Sequence, residues 1–153
     1  MALNGLVKSL LHFYWQFSRP MTIGVRVIVQ DDQDRVLLVR HTYVSGWYLP
    51  GGGVETGETF EDAVRKEIME ESCIKCLSQP ELFAAFYNPR GSKRDHVLLY
   101  RVKDWVSVRE FVPNREIAEI GFFPLDDLPE DTTPSTRKRL KEVFEGQIPS
   151  ELW

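Results

Sequence analysis

Apolar side chains recur along this chain with two periods, and the switches between them mark out its elements. From Leu3 to Phe17, Leu6, Leu10, Phe13, Tyr14 and Phe17 fall at steps of three and four, the spacing of one helix face, and Arg19-Pro20 ends the run. Ile23 to Val29 and Arg35 to Val39 are β-branched stretches on either side of Asp31-Asp32-Gln33-Asp34, a pattern that predicts a hairpin. Glu81 to Tyr87 and Asp95 to Val102 are apolar and aromatic segments around the loop Asn88-Pro89-Arg90-Gly91-Ser92-Lys93-Arg94, and Ile120 to Phe123 predicts a further short strand. Past Pro134, Arg137 to Phe144 reads as a closing helix with Leu140, Val143 and Phe144 on its apolar side. Without repeats, low-complexity tracts or a linker, this order predicts one mixed α/β domain over residues 21–153. An amphipathic helix within residues 1–20 precedes it, expected to pack on the domain or in a homodimer.

Residues 49–74 read LPGGGVETGETFEDAVRKEIMEESCI. Thr59 with Asp62 three positions later resembles a capping box and starts a helix near Phe60. At about 100° per residue, Phe60, Val64 and Ile68 make an apolar stripe flanked by Ala63 and Ile74, while Glu61, Asp62, Arg65 and Lys66 fall on the solvent side. Glu67 and Glu71 lie between the apolar positions, with Glu70 at the border. Like charges three and four residues apart repel, and acids of a surface helix belong on its polar face. Carboxylates on a core-facing edge require a cation, and hard oxygen donors in that number suit Mg2+ or Mn2+.

Composition narrows the context. The chain of 153 residues is 42% hydrophobic and 27% charged, enough to bury the core of one domain. Its net charge of −4 offers no general attraction for a nucleic-acid backbone, so polyphosphate binding has to come from a local site. No stretch approaches the roughly 20 apolar residues of a membrane span, and the first residues show neither a basic start nor a small-residue cleavage site. A cytoplasmic protein without membrane association is expected.

The stretch from Gly52 to Ile74 resembles the signature of the Nudix hydrolases, which cleave a nucleoside diphosphate linked to another group. Gly52 opens it, Glu58 follows at the family's distance, Lys66-Glu67-Ile68-Met69-Glu70-Glu71 supplies its acidic core, and Cys73-Ile74 ends it. Trp47-Tyr48-Leu49-Pro50-Gly51-Gly52 is similar to the family's lead-in. Lys66 stands where the family has Arg, and Cys73 where it has Gly. The resemblance implies an α/β/α sandwich with a mixed sheet, water attack on a diphosphate phosphorus, and Mg2+ or Mn2+ as cofactor. It implies that Glu67, Glu70, Glu71 and the backbone carbonyl of Gly52 are the metal ligands. One of those glutamates, or a water they hold, is then the general base, and Glu58 supports the site. Some relatives add an acid from a later loop, here Glu116. Lys66 keeps the positive charge but loses the bidentate fork, and at i+4 it is expected to reach Glu70, giving weakened activity. Activity so weakened that only nucleotide binding remains is the alternative. Cys73 replaces a glycine that closes the helix in a left-handed conformation, so a different exit is expected.

Other signals are weaker. Cys73 and Cys76 have CxxC spacing, but they fall at a helix C-terminus, whose negative end disfavours a thiolate, and the three histidines His12, His41 and His96 are scattered. Arg40 and Arg94, with Arg26, Arg90 and Lys93, form a candidate phosphate-binding set, and Trp47 and Tyr48, with Phe86 and Tyr87, are candidates for stacking on a nucleobase. Nucleoside triphosphates, ADP-ribose-like compounds and dinucleotides are all compatible with the box, because the leaving group is chosen by loops outside it.

Overall fold

Along the chain run β1 (Thr22–Val29), β2 (Val36–His41), α1 (Phe60–Ser72), β3 (Ile74–Cys76), β4 (Glu81–Tyr87), β5 (Asp95–Val102), β6 (Trp105–Ser107), β7 (Ile117–Phe123) and α2 (Pro134–Phe144). The structure, a computed structural model, describes Tyr14 and residues 20–153. The predicted N-terminal helix lies, Tyr14 apart, outside the described residues.

Strand β5 sits between β1, to which it runs parallel, and β4, to which it runs antiparallel, making a mixed sheet. Two antiparallel pairs, β2 with β7 and β3 with β6, complete the strands. Alternation along a strand sends successive side chains to opposite faces. Val25, Val27 and Val29 of β1 and Leu98, Tyr100 and Val102 of β5 pack with Ala63, Val64 and Ile68 of α1. Ile28 and Leu99, one step out of phase, pack with Trp47, Leu49, Phe86 and Leu140 of α2. A helix therefore covers each face, and the fold is an α/β/α sandwich.

The expected hairpin between β1 and β2 is not formed beyond its turn. Asp31 Oδ1 accepts the amides of Gln33 (3.0 Å) and Arg35 (2.9 Å), and a single bridge joins Gln30 to Val36 before the strands part. The reason lies at the other edge of β1. Val25 N–H donates to Gly52 O (2.9 Å), Val27 N–H to Pro50 O (2.9 Å), and Val54 N–H to Ile23 O (2.8 Å). The glycine loop occupies the edge that β2 would need, and β2 pairs with β7 instead.

Smaller departures have local causes. Thr133 caps α2 through the Thr136 amide (3.3 Å), and Pro134 fits the first helical turn, so the helix starts three residues before the apolar pattern does. Strand β7 likewise begins at Ile117 rather than Ile120. Strands β3 and β6 hold three residues each, too few to display a period. Phe60, assigned to the buried stripe of α1, is 39% exposed, because the helix meets the sheet only from Ala63 onward.

Candidate functional site

Helix α1 starts where Thr59 Oγ1 accepts the Asp62 amide (3.1 Å), and from there its turns aim Glu67 and Glu71 at the glycine loop. Glu71 is 2% exposed, and its Oε2 accepts the Gly51 N–H at 2.8 Å. Gly51 reaches that position with φ +141°, and a Cβ there would stand 2.1 Å from Val25 O. Gly52 is held tightly as well: a Cβ on it would meet Glu67 Oε2 at 2.6 Å. Arg26, one strand away, donates from Nη1 to Gly51 O (2.7 Å) and Leu49 O (3.1 Å), fixing the loop from the other side. The carbonyl of Gly52 already accepts the Val25 N–H. Glu70 is exposed, on the side of the helix that faces Arg109 and the 110–114 segment.

Two groups from outside α1 join the buried acids. His41 ends β2 and Glu116 precedes β7, and each offers a ligand atom within 4.8 Å of one from Glu71 and of the other's. Among the described residues this is the one such cluster of His, Cys, Asp or Glu. Burial pushes the Glu71 carboxyl up to about 8, assisted by Glu67 and Glu116 and opposed by the Gly51 N–H and Arg26. Burial raises Glu67 as well, with Lys66 opposing and Glu70 and Glu116 adding to the rise. His41 moves the other way, lowered by burial and by Arg26, which favours the neutral imidazole. Burial is the largest cause in all three, so the pocket disfavours the charged form of each group.

Lys66 does not turn toward Glu70. Its Nζ lies 3.2 Å from either oxygen of Glu58 and 3.7 Å from Glu67 Oε1. Helical side chains lean toward the N-terminus, over the preceding turn, which carries Lys66 to the loop acid and away from residue 70. The Glu55 N–H and Lys66 hold the Glu58 carboxyl below the usual range. Cys73 does not give α1 a different exit either. It takes the left-handed conformation itself (φ 60°, ψ 29°), its N–H bonding back to Ile68 O and Met69 O, while Arg109 Nε donates to its sulfur at 3.3 Å. Both cysteines are free and buried, without a shared bond.

The remaining candidates are dispersed. Arg40 pairs with Glu119 and sits 5.8 Å from the Trp47 ring centroid. Trp47 is buried against Phe123, so its ring is part of the core rather than an open stacking surface. Tyr48 donates to Ser45 O and meets the His41 ring edge-on at 5.6 Å. Arg94 lies exposed in the β4–β5 loop, its carbonyl accepting the Thr22 N–H. Beside His41, an open cleft of about 380 Å3 is lined by Arg40, Tyr43, Ser45 and Asp131 among others. His41 carried no local sequence signal as a site residue. The register slip that brings it here depends on the pairing of β2 with β7.

Comparison with known proteins agrees with this architecture. A NUDIX domain model matches residues 20–144. Over 110 residues the chain is 36% identical to nucleoside triphosphatase NudI of Escherichia fergusonii, an alignment covering 66% of this chain and 78% of that protein. A MutT NUDIX hydrolase structure from Burkholderia pseudomallei superposes with a TM-score of 0.69 at 27% identity, covering 81% of this chain and 98% of that one. A UDP-X diphosphatase structure superposes with a TM-score of 0.68 at 26% identity, covering 92% and 72% respectively.

Proposed function

The chain belongs to the Nudix hydrolase family, and on that premise we propose that it cleaves the diphosphate linkage of a nucleoside diphosphate derivative, using Mg2+ or Mn2+. The observation that carries this reading is the pair of buried Glu71 and half-buried Glu67, drawn by α1 against a glycine loop with Glu116 close by. Two or three carboxylates sharing a pocket this dry are unstable as anions unless a cation sits among them. The donor set fits a divalent ion, with Glu67, Glu71 and Glu116 as ligands and Glu70 on the solvent side of the same helix. A divalent ion held there supplies neutralisation of the phosphate oxygens and acidifies water.

The chain's own groups do the positioning. Gly51 N–H fixes one oxygen of Glu71, and Arg26 fixes the loop that carries Gly51. Lys66 ties Glu67 to Glu58, the charge retained at the box position where the family has Arg. The cleft beside His41, lined also by Arg40 and Tyr43, is the open space next to this cluster in which the nucleotide end of a substrate would sit. Because relatives are named as a nucleoside triphosphatase and a UDP-X diphosphatase, nucleoside triphosphates and nucleoside diphosphates joined to a second group are the first substrates to test. ADP-ribose-like compounds and dinucleotides follow. Among the described residues no helix is long and apolar enough to cross a membrane.

The test is release of phosphate or pyrophosphate from those substrate classes with Mg2+ and with Mn2+, alongside calorimetric titration of each ion. Turnover is expected to fall roughly a hundredfold or more in Glu71→Gln and in Glu67→Gln, with weaker ion binding in both. Unchanged ion affinity in both variants would sink the assignment. A wild-type protein that binds ion and nucleotide but turns over none of the panel would be a nucleotide-binding module instead.

A further inference from the structure

His41 enters the acidic cluster from a strand rather than from α1. The register between β2 and β7 slips between Arg40 and His41, so that His41 stands opposite Ile117. Irregularities of this kind re-aim a side chain. Just beyond, Thr42 N–H donates to Glu116 O (2.9 Å) and Thr42 Oγ1 donates to Arg115 O (2.7 Å), clamping the end of β2 to the segment that carries Glu116. The proximity of His41 and Glu116 is thus built into the backbone.

His41 is 8% exposed, and its Nδ1 has no hydrogen-bond partner among the described residues. Its Nε2 lies 4.0 Å from Glu71 Oε1, beyond hydrogen-bonding reach. The Tyr43 and Tyr48 rings hold it in place at 5.1 and 5.6 Å between centroids. A histidine buried for packing alone ordinarily finds a hydrogen bond for its polar atoms. In His41 the unpartnered atom is Nδ1, while Nε2 faces Glu71 without bonding it, and a ring nitrogen lies within 4.8 Å of carboxylate oxygens of both Glu71 and Glu116.

Resting on the reading that the α1 glutamates hold a divalent ion, we propose that His41 Nε2 is a ligand of that ion together with Glu71 and Glu116, giving the site a preference for a first-row transition ion such as Mn2+ over Mg2+. Ligand atoms around such an ion are about 3–4 Å apart, and the present spread of up to 4.8 Å closes when the exposed Glu116 side chain swings inward. The preference follows from donor chemistry. Mg2+ demands hard oxygen ligands and gives up water reluctantly, whereas imidazole nitrogen suits transition ions.

Electron spin-echo spectroscopy of Mn2+ bound to the full chain tests this without reference to turnover. Wild-type protein is expected to show nitrogen coupling to the ion that changes when the histidines are labelled with 15N. The coupling should persist in His12→Gln and His96→Gln and vanish in His41→Gln. In that last variant the Mn2+ dissociation constant should rise about tenfold or more, and that of Mg2+ by less than about threefold. If His41→Gln fails to fold, the labelled wild type and the two other variants decide by elimination. Bound Mn2+ without nitrogen coupling overturns the ligation by His41 and leaves the glutamate site standing. A wild type that binds no Mn2+ overturns both.

Discussion

A Cβ on Gly51 would stand 2.1 Å from Val25 O, one on Gly52 would stand 2.6 Å from Glu67 Oε2, and one on Gly53 would meet nothing within 4 Å. The first obstacle is backbone, already bonded to a strand, and Gly51 has a φ of +141° besides. The second is the far end of a flexible side chain, which can move. Gly51→Ala is therefore expected to cost about 2–3 kcal/mol or more in stability. Gly52→Ala should fold with a loss of about 1 kcal/mol or less, but it pushes the Glu67 carboxylate out of place and weakens Mn2+ binding. Gly53→Ala should change neither. Urea unfolding and ion titration of the three variants separate these outcomes, and wild-type Mn2+ affinity in Gly52→Ala would remove Glu67 from the ligand set. At this scale the sequence was informative where a helix period applied: the phase of Glu67 and Glu71 against Val64 and Ile68 foretold the burial of Glu71 and the half-burial of Glu67. His41 had no such phase. Its position depends on a strand register, and a lone histidine at a strand end looks the same in or out of a site.

Elements show the same division between local and distant causes. The cap at Thr59, the turn at Asp31 and the two helices are set by neighbours in sequence, and they form where the pattern placed them or within a few residues. The partner of β1 is not set that way. The β1 edge is filled by backbone groups of residues 50–54, and glycines there permit the approach, a competition that two β-branched runs around a turn do not reveal. Cys73 is a case where local rules compete with each other. Left-handed backbone favours glycine, yet the thiol is 4% exposed and meets Arg109 Nε, so the side chain gains by burial what the backbone loses. Cys73→Gly removes a strain of about 1 kcal/mol and forfeits burial of about 0.8 kcal/mol. Its stability should stay within about 1 kcal/mol of wild type. Cys73→Val keeps the unfavourable φ, adds a β-branched side chain and should lose about 2 kcal/mol or more. Denaturant midpoints check the order, and a valine variant as stable as glycine would show that the exit of α1 rearranges freely.

Across the whole molecule the two faces of the sheet serve different ends. The α1 face carries the acids, while the α2 face carries a buried ion pair that ties residues 147–153 to β4. Arg139 is 0% exposed and donates to Glu142 Oε1 (2.8 Å), Leu152 O (3.0 Å) and Ser150 Oγ (3.1 Å), with its guanidinium 4.2 Å from the Phe86 ring centroid. Ser150 N–H returns to Glu142 Oε1, and Tyr87 exchanges backbone bonds with Glu151 and Trp153. None of this was legible in the sequence, because the hydrogen-bond partners of Arg139 outside α2, Ser150 and Leu152, come from a segment with no pattern of its own. A buried pair of this kind stabilises less than it costs to break: the charges lose hydration whether or not they meet, but a single survivor has no counter-charge at all. Arg139→Ala should therefore lower stability by about 3–5 kcal/mol, a large share of the roughly 5–15 kcal/mol of a domain this size. The double variant Arg139→Met with Glu142→Leu removes both charges, fills the space and should lose clearly less. Urea unfolding of the single and double variants measures the difference. Equal losses would mean that the guanidinium acts through its stacking on Phe86 and Trp153 rather than by neutralising Glu142. In either variant that remains folded, Mn2+ affinity should match wild type, since the pair and the acidic cluster lie on opposite faces of the sheet.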